Sequence, residues 1–334
     1  MKRSLSNSRR ILALSAMAVA AGVSFCLAAP ASAAMNAADN ASNYTGTTWP
    51  NGGTPPNAGS GFGAWTISTQ NNSGPPYTGT YFNTNNVSIA TSSDAWGTYA
   101  NSGSPTATPR VDLYRAFTGS LSVGQTFSVA LTSSGVGSYP PNGMPAYGFG
   151  LGSAAPSLTA GTVAVTTGNG GQTSATNYND ANSLFSLTFN ELGSPTNNTS
   201  GNLVGYNGQT GSASAGSYIL ETNVTANGVT TSSISGLTDA QLNSGVMANF
   251  TLGAGNNYSL TLTSLGATPT TLATYNGTLA AGAINGADLF DQNTYQDGLF
   301  NSLAITTATP EPASLALIGI SGAVLLLARR RKMA

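Results

Sequence analysis

Apolar and small polar residues alternate with a period of two in several segments of the chain. The clearest segments are built on Phe127, Val129 and Leu131, on Phe185, Leu187 and Phe189, on Tyr258, Leu260 and Leu262, and on Leu303 and Ile305. Shorter versions are the pairs Trp65 and Ile67, Val87 and Ile89, and Val163 and Val165. Each segment lies between clusters of Gly, Asn, Pro or Ser, which is typical of strands joined by turns. We therefore predict short strands with one buried face.

Many short strands and almost no helical pattern predict an all-β fold, an antiparallel β-sandwich or jelly roll. No fixed-period repeat favours a β-helix or a propeller. The sandwich body is expected over residues 62–305, after an irregular arm over 34–61 and before a linker over 306–309. The one helix signal is Thr238 followed by Gln241, a capping box that Gly245 would end within two turns.

The first part of the chain has the pattern of a secretory signal peptide. Four basic residues lie within the first ten, an apolar run follows from Ile11 to Ala29, and Ala31, Ala33 and Ala34 form a small-residue cleavage site. This pattern predicts a signal helix over residues 1–33 that signal peptidase removes before Ala34. An uncleaved N-terminal anchor is the alternative.

The other end of the sequence carries Pro310, Glu311 and Pro312, an apolar stretch over 313–328, and the basic cluster Arg329, Arg330, Arg331 and Lys332. A helix over 313–328 would be roughly 24 Å long, which makes it a marginal transmembrane span. The basic cluster would stay on the cytoplasmic side and leave the body outside. The two prolines end the helix and keep Glu311 in extended, accessible chain. An ordinary single-pass anchor is the alternative.

A Pro-Glu-Pro triplet, a short apolar stretch and a basic cluster, in that order over 310–334, resemble the tail of PEP-CTERM proteins. The resemblance implies recognition and processing by the membrane protease-transpeptidase exosortase, in Gram-negative bacteria that make extracellular polysaccharide. It also implies an exported protein that is transiently anchored in the inner membrane and then reaches the cell surface or extracellular matrix. The body is similar to PEP-CTERM proteins with concanavalin-like sandwiches at residues 96–103, 115–117, 121–127 and 299–303.

Charge and cysteine content exclude several function classes. Between Ala34 and Pro312 the chain has only two basic residues, Arg110 and Arg115, against eleven acidic ones, and it contains no His. The net charge of −9 over this stretch excludes the basic patch that nucleic-acid binding needs. The single cysteine, Cys26, lies in the predicted signal peptide, so disulfides do not stabilise the mature body.

Without His or Cys, the mature chain lacks the residues for nucleophilic triads and zinc sites. Carboxylate chemistry would depend on Glu191 and Glu221, which lack the clustered pattern of concanavalin-like glycosidases. The sequence therefore predicts no enzyme activity and no cofactor, and a glycoside hydrolase is only the third hypothesis.

Calcium is the one metal for which the chain offers ligands. Asp288, Asp291 and Asp297 lie within ten residues, but Gln296 replaces the glycine of an EF-type loop and Ser302 replaces its bidentate glutamate. We interpret these acids as solvated side chains of a connecting loop, with an irregular structural calcium site as the alternative.

The three tryptophans, Trp49, Trp65 and Trp96, all lie in the first third of the chain. We predict that they form part of the sandwich core, the alternative being an exposed glycan-binding surface. The leading functional hypothesis is a non-enzymatic structural component of the cell surface or extracellular polysaccharide matrix. A glycan-binding module of the same surface is the alternative.

Overall fold

Most of the described residues of the computed structural model lie in β-strands. The described residues are 34–45, 49, 55–70, 78–84, 88–89, 94–100, 109–133, 146–156, 165–167, 173–175, 182–191, 220–226, 229–234, 237, 241, 244–292 and 297–308. The predicted signal helix over 1–33 and the predicted apolar helix over 313–328 lie outside these ranges. Within them, no helix is long and apolar enough to cross a membrane.

The strands, in chain order, are β1 Ala34–Asp39, β2 Phe62–Gln70, β3 Thr78–Asn83, β4 Ala95–Ala100, β5 Arg110–Phe117, β6 Gln125–Ser133, β7 Ala146–Gly152, β8 Val165–Thr167, β9 Thr173–Ala175, β10 Ser183–Glu191, β11 Leu220–Ala226, β12 Val229–Ile234, β13 Val246–Leu252, β14 Asn257–Ser264, β15 Thr271–Thr278, β16 Gly286–Gln292 and β17 Gly298–Thr307. Among the described residues, single turns of 3-10 helix lie at Ala41–Asn43 and Ala254–Asn256.

The strands form two large sheets. The eight-stranded sheet has the order β15-β14-β13-β6-β17-β4-β3, and β1 also pairs with β17. The seven-stranded sheet has the order β12-β11-β10-β7-β16-β5-β2, and β8 and β9 form a separate pair. The strands on either side of β6, β7, β16 and β17 are distant in sequence, so the centre of each sheet is built from long-range pairings.

Aromatic side chains join the inner faces of the two sheets. The rings of Phe127 on β6 and Phe149 on β7 lie 5.7 Å apart, and those of Phe185 on β10 and Phe250 on β13 lie 4.7 Å apart. All four side chains are fully buried and belong to one continuous core. Packing of two antiparallel sheets over a shared core makes the fold a β-sandwich, as the alternation along the chain predicts.

The four clearest alternating segments lie in β6, β10, β14 and β17, and their apolar residues belong to the core. Two shorter expectations fare differently. Ile89 lies in a turn rather than a strand, where it covers a small satellite cluster, and Val87 and Val163 lie outside the described residues. Most of the predicted helix is also outside them, although Gly245 has the positive φ of 82° expected after a helix end.

The segment predicted to be an irregular arm contains regular structure. Residues 34–39 form β1, and the backbones of Ala38 and Ser60 pair with each other in a bridge. At the other end of the body, β17 continues to Thr307, beyond the predicted start of the linker at 306. Strand β1 was missed because its partner β17 lies far away in the chain.

The tryptophans confirm the core interpretation. Trp49 from the arm, Trp65 on β2 and Trp96 on β4 are at most 2% exposed. The ring centroids of Trp65 and Trp96 lie 5.1 Å apart, and Trp49 contacts both rings at 5.4 and 6.0 Å. Because these indoles bridge the two sheets, they are not available for stacking on a glycan.

Gly148 on β7 provides a sharp test of the packing. A Cβ atom at this position would lie 2.0 Å from the carbonyl oxygen of Leu187 on the neighbouring strand β10. We expect Gly148→Ala to lower the free energy of unfolding by about 1–3 kcal/mol or more, because backbone atoms must move apart. The control is Gly119→Ala, where a Cβ would meet nothing within 4 Å. Equal stabilities of the two variants in urea unfolding would contradict this packing.

Candidate functional site

Arg115 is the centre of a buried polar cluster that fixes the N-terminal arm. The residue is on β5, directed to the inner face, and is fully buried. Its Nη2 atom lies 3.1 Å from Oδ2 of Asp39 and donates to Asn57 Oδ1 and to the carbonyl oxygen of Ala58. Its Nη1 atom donates to the hydroxyl of Tyr44 at 3.0 Å. One guanidinium therefore holds two separate stretches of the arm.

Tyr44 and Trp65 complete this cluster, which we call the arm clasp (Asp39, Tyr44, Asn57, Trp65, Arg115). The Tyr44 hydroxyl donates to Asp39 Oδ2 at 2.7 Å and accepts the indole N–H of Trp65 at 2.9 Å. The guanidinium also stacks over Trp65, at 4.7 Å from the ring centroid. Burial raises the pKa of the Asp39 carboxyl, while hydrogen bonds from Asn43 and Tyr44 and the charge of Arg115 oppose this rise. Most polar atoms of the arm clasp already have partners within the protein, so we interpret the clasp as a structural ion pair.

The second arginine of the body forms a different cluster on the opposite face of β5. Arg110 is 5% exposed, and its Nε and Nη2 atoms donate to Asp112 at 2.9 and 2.5 Å. Its Nη2 atom lies 3.8 Å from Asp288 Oδ2 on β16, and its guanidinium lies over the Phe290 ring at 5.7 Å. Burial and the charge of Asp288 raise the pKa of Tyr114 beside it. This arrangement compensates two buried carboxylates with one cation.

The acids considered for calcium are not brought together. Asp288 and Asp291 are three residues apart on β16, so they point to opposite faces of the sheet. Asp291 accepts the backbone N–H of Gly298 at 3.1 Å and contacts the Thr98 hydroxyl at 3.3 Å, whereas Asp297 accepts the Tyr81 hydroxyl at 2.7 Å. Among the described residues, no group of three acidic, His or Cys side chains is close enough to hold a metal ion.

The interpretation of Asp288 and Asp291 as solvated loop acids was wrong. Both side chains are buried, at 2% and 0% exposed, in a strand whose seven residues are all buried. A strand with both faces covered has no alternation of apolar and polar residues, and its acids resemble those of a turn. Their burial is compensated by partners from β5, β4 and β17.

Burial raises the pKa of the Asp297 carboxyl, and the hydrogen bond from Tyr81 only partly offsets this effect. Because the folded pKa exceeds the unfolded one, the stability contributed by this group is present below the unfolded pKa and is lost as the pH rises through the folded pKa. We therefore expect Asp297→Asn to gain stability relative to the wild type between about pH 3 and pH 7, as measured by urea unfolding at several pH values.

Tyr81→Phe is the companion variant for Asp297. It removes the hydrogen bond that lowers the carboxyl pKa, so the pH dependence of stability should become steeper than in the wild type. A wild type whose stability relative to Asp297→Asn rises with pH would contradict the assigned direction.

The two glutamates considered for a hydrolase lie on neighbouring strands but are not cross-strand partners. The register pairs Glu221 on β11 with Asn190, and Glu191 on β10 with Leu220. Their positions are thus offset by one residue along the sheet.

A different surface emerges on the eight-stranded sheet. Most outward positions of β6, β13, β14 and β15 carry neutral hydrogen-bonding side chains, Ala130 and Met247 being exceptions. We call these side chains the hydroxyl face: Thr126, Ser128, Asn249, Thr251, Ser259, Thr261, Thr263, Thr274 and Asn276. Cross-strand pairs order part of it, since the hydroxyls of Thr126 and Thr251 lie 2.8 Å apart and Ser128 donates to Asn249 Oδ1 at 2.8 Å. The alternation in the sequence indicates this face, but its continuity over four strands depends on the register.

A shallow groove lies at one side of the hydroxyl face. It has a volume of about 240 Å³ and is lined in part by Ser128, Met247 and Asn249, together with Asn40 and Ser302. Pockets for small-molecule ligands usually measure roughly 300–1,000 Å³. The groove is therefore smaller than a typical small-molecule site.

The predicted processing sites flank the described body. Ala34, the predicted first residue after signal cleavage, begins β1, while Ala31 and Ala33 lie outside the described residues. The same holds for the sorting residues Pro310, Glu311 and Pro312 and for the basic cluster Arg329, Arg330, Arg331 and Lys332. At the C-terminal side, β17 ends at Thr307, three residues before Pro310.

The body has distant structural similarities. Among solved structures, it is similar to a carbohydrate esterase from the Shiga toxin-encoding bacteriophage phi24B, with 12% identity, a TM-score of 0.35, and coverage of 73% of this chain and 90% of that one. It is also similar to the globular domain of T. cruzi calreticulin, with 11% identity, a TM-score of 0.37, and coverage of 81% of this chain and 95% of that one. A third similar structure is a lectin from Bauhinia forficata in complex with GalNAc, with 9% identity, a TM-score of 0.36, and coverage of 82% of this chain and 99% of that one. At these TM-scores and identities, the similarities do not establish a function.

No curated protein sequence matches the chain. A family model does match, and its description is the PEP-CTERM protein-sorting motif, over residues 308–332. The match includes the Pro-Glu-Pro triplet, the apolar stretch and the basic cluster, and it confirms the resemblance seen in the sequence. The chain therefore carries a PEP-CTERM protein-sorting motif that begins one residue after the last strand of the sandwich.

Proposed function

We propose that this protein is a non-enzymatic structural component of the bacterial cell surface or the extracellular polysaccharide matrix, sorted there by exosortase. The observation that carries the proposal is the sorting motif at 308–332, which directly follows β17 in the sequence. A signal peptide at the other end and a body between them give the order of an exported precursor.

The placement of the motif supports processing without damage to the fold. Strand β17 lies inside the eight-stranded sheet, between β6 and β4, so its loss would divide that sheet. Cleavage near Pro310–Pro312 removes no residue of β17, whose last residue is Thr307. The sandwich would keep all its strand pairings after the tail is removed.

A non-enzymatic role is supported by the chemistry of the buried charges. Arg115 neutralises Asp39, and Arg110 lies between Asp112 and Asp288. A glycosidase needs one carboxyl that donates a proton and a second that acts as nucleophile or base, with room for a sugar between them. Here a guanidinium occupies the space between the two carboxylates on β5 and β16.

The proposal is tested by the mature ends and location of the native protein. We expect intact-mass analysis to show a protein that begins at Ala34 and lacks Arg329–Lys332, and fractionation to place it at the cell surface or in the matrix. A native protein that keeps both ends and remains in the cytoplasm would refute sorting.

A second candidate function is glycan binding through the hydroxyl face. Hydroxyl and amide side chains such as Ser128, Asn249 and Thr261 offer neutral hydrogen bonds to sugar hydroxyls across several strands. A pull-down on the organism's own exopolysaccharide tests it. If the face binds, Thr261→Val should weaken retention, whereas Gly119→Ala should not; equal retention of both variants and the wild type would locate binding elsewhere.

A further inference from the structure

Strand β15 forms one end of the eight-stranded sheet. It pairs with β14 on one side. In the part of the chain that the structure describes, no strand pairs with its other side. The side chains of Thr274 and Asn276 are exposed. An edge of this kind can accept another strand through its backbone.

The hydrogen bonds around β15 define which backbone groups face outward. The N–H of Leu279 donates to Asn256 O at 2.8 Å, and the N–H of Ser264 donates to Thr270 O at 2.9 Å. In an antiparallel pair, hydrogen-bonded and non-hydrogen-bonded positions alternate. Residues 273, 275 and 277 therefore direct their N–H and C=O groups to β14, and Thr274 and Asn276 direct theirs to the outer edge.

The usual protection of a sheet edge is largely missing. Native edges are blocked by charged residues, prolines, bulges or short strands. No charged residue lies between Asp239 and Asp288, and β15 contains no proline. The register shifts once, at the start of the strand, and leaves Ala273–Thr278 regularly paired.

We propose that β15 is a self-association surface, on which a second copy of this chain adds its own β15 in antiparallel orientation. An antiparallel edge is self-complementary about a two-fold axis. With the axis at Tyr275, the outward backbone groups of Thr274 in one copy meet those of Asn276 in the other, which forms four backbone hydrogen bonds. A neutral edge meets its copy without like-charge repulsion.

The side chains on the inner side of β15 support this partner. Leu272, Ala273 and Tyr275 are only partly buried and pack against the core at the end of the sheet. In the proposed pair, Tyr275 faces Tyr275 of the second copy at a non-hydrogen-bonded position, where side chains are closest. Association would thus cover apolar surface that one copy leaves partly open, and it does not depend on sorting by exosortase.

The first test measures the mass of the purified exported protein by sedimentation over a range of concentrations. Asn276→Pro removes an outward N–H without removing a bond to β14, so it should raise the dimer Kd at least about tenfold. Asn276→Lys places a charge at the edge and replaces the proline variant in this test if that variant fails to fold. Val123→Lys adds the same charge at a side chain that is 61% exposed in a turn, and should leave the dimer unchanged.

The second test measures the register. The Cα atoms of a non-hydrogen-bonded pair lie about 4.5 Å apart, within the range for a disulfide. Mild oxidation should therefore link Tyr275→Cys into a covalent dimer, and Thr274→Cys, whose copies are offset along the strand, should stay unlinked. A wild type that is monomeric at all concentrations, or a dimer unaffected by both Asn276 substitutions, would overturn the proposal.

Discussion

Arg115→Met is expected to lower the free energy of unfolding by about 3–5 kcal/mol, which is the usual cost of removing one partner of a buried ion pair. The substitution keeps much of the side-chain volume but removes the guanidinium that contacts Asp39, Tyr44 and Asn57. The Asp39 carboxylate would then be buried without its cation. Typical domains have only about 5–15 kcal/mol of stability, so a large part of it would be lost.

A double-mutant cycle in urea unfolding separates this charge effect from lost packing. If the unpaired Asp39 causes the loss, the double variant Asp39→Asn, Arg115→Met should be more stable than the sum of the two single effects predicts. Protonation should act in the same direction, so Arg115→Met should lose less stability near pH 4 than at pH 7. A change below about 1 kcal/mol at pH 7 would show that the arm clasp does not stabilise the fold.

Glu311→Ala is expected to abolish removal of the C-terminal tail while leaving export intact. The triplet Pro310–Pro312 lies within the matched sorting motif, and the apolar stretch 313–328 would then remain as a membrane anchor. The wild type should lose the basic cluster, whereas the variant should retain residues through Ala334 and accumulate in the inner membrane. Intact-mass analysis of both fractions measures the difference.

The matched control is Thr309→Ala, which changes a neighbouring side chain outside the triplet and should be processed as the wild type is. The sandwich itself should have the same melting temperature in all three proteins, because Glu311 lies beyond the last strand. Equal retention of the tail in wild type and Glu311→Ala would falsify processing and leave a plain membrane anchor.

Local sequence predicts those strands that have one buried face and one solvent-exposed face. The strands β6, β10 and β14 are of this kind, and their alternating residues reach the core. Strand β16 was missed because both faces are covered, so Asp288 and Asp291 resemble loop residues. Strand β1 was missed because its partners lie far away in the chain.

The candidate sites follow the same division. The sorting tail is read from a contiguous run of residues, so the sequence alone was sufficient to find it. The arm clasp joins Asp39 to Arg115, and the hydroxyl face joins positions on four strands. Neither arrangement has a local pattern, and the only early signal was that Arg110 and Arg115 are the sole basic residues of the body.

The placement of both arginines on one buried strand has a consequence for survival outside the cell. Proteases that cut after Lys or Arg have only two target bonds between Ala34 and Pro312, and both follow side chains that are at most 5% exposed. Such proteases can cleave only molecules in which β5 has left the sandwich. Digestion by trypsin should therefore report the opening of this strand, and the intact body should persist in an extracellular medium rich in trypsin-like enzymes.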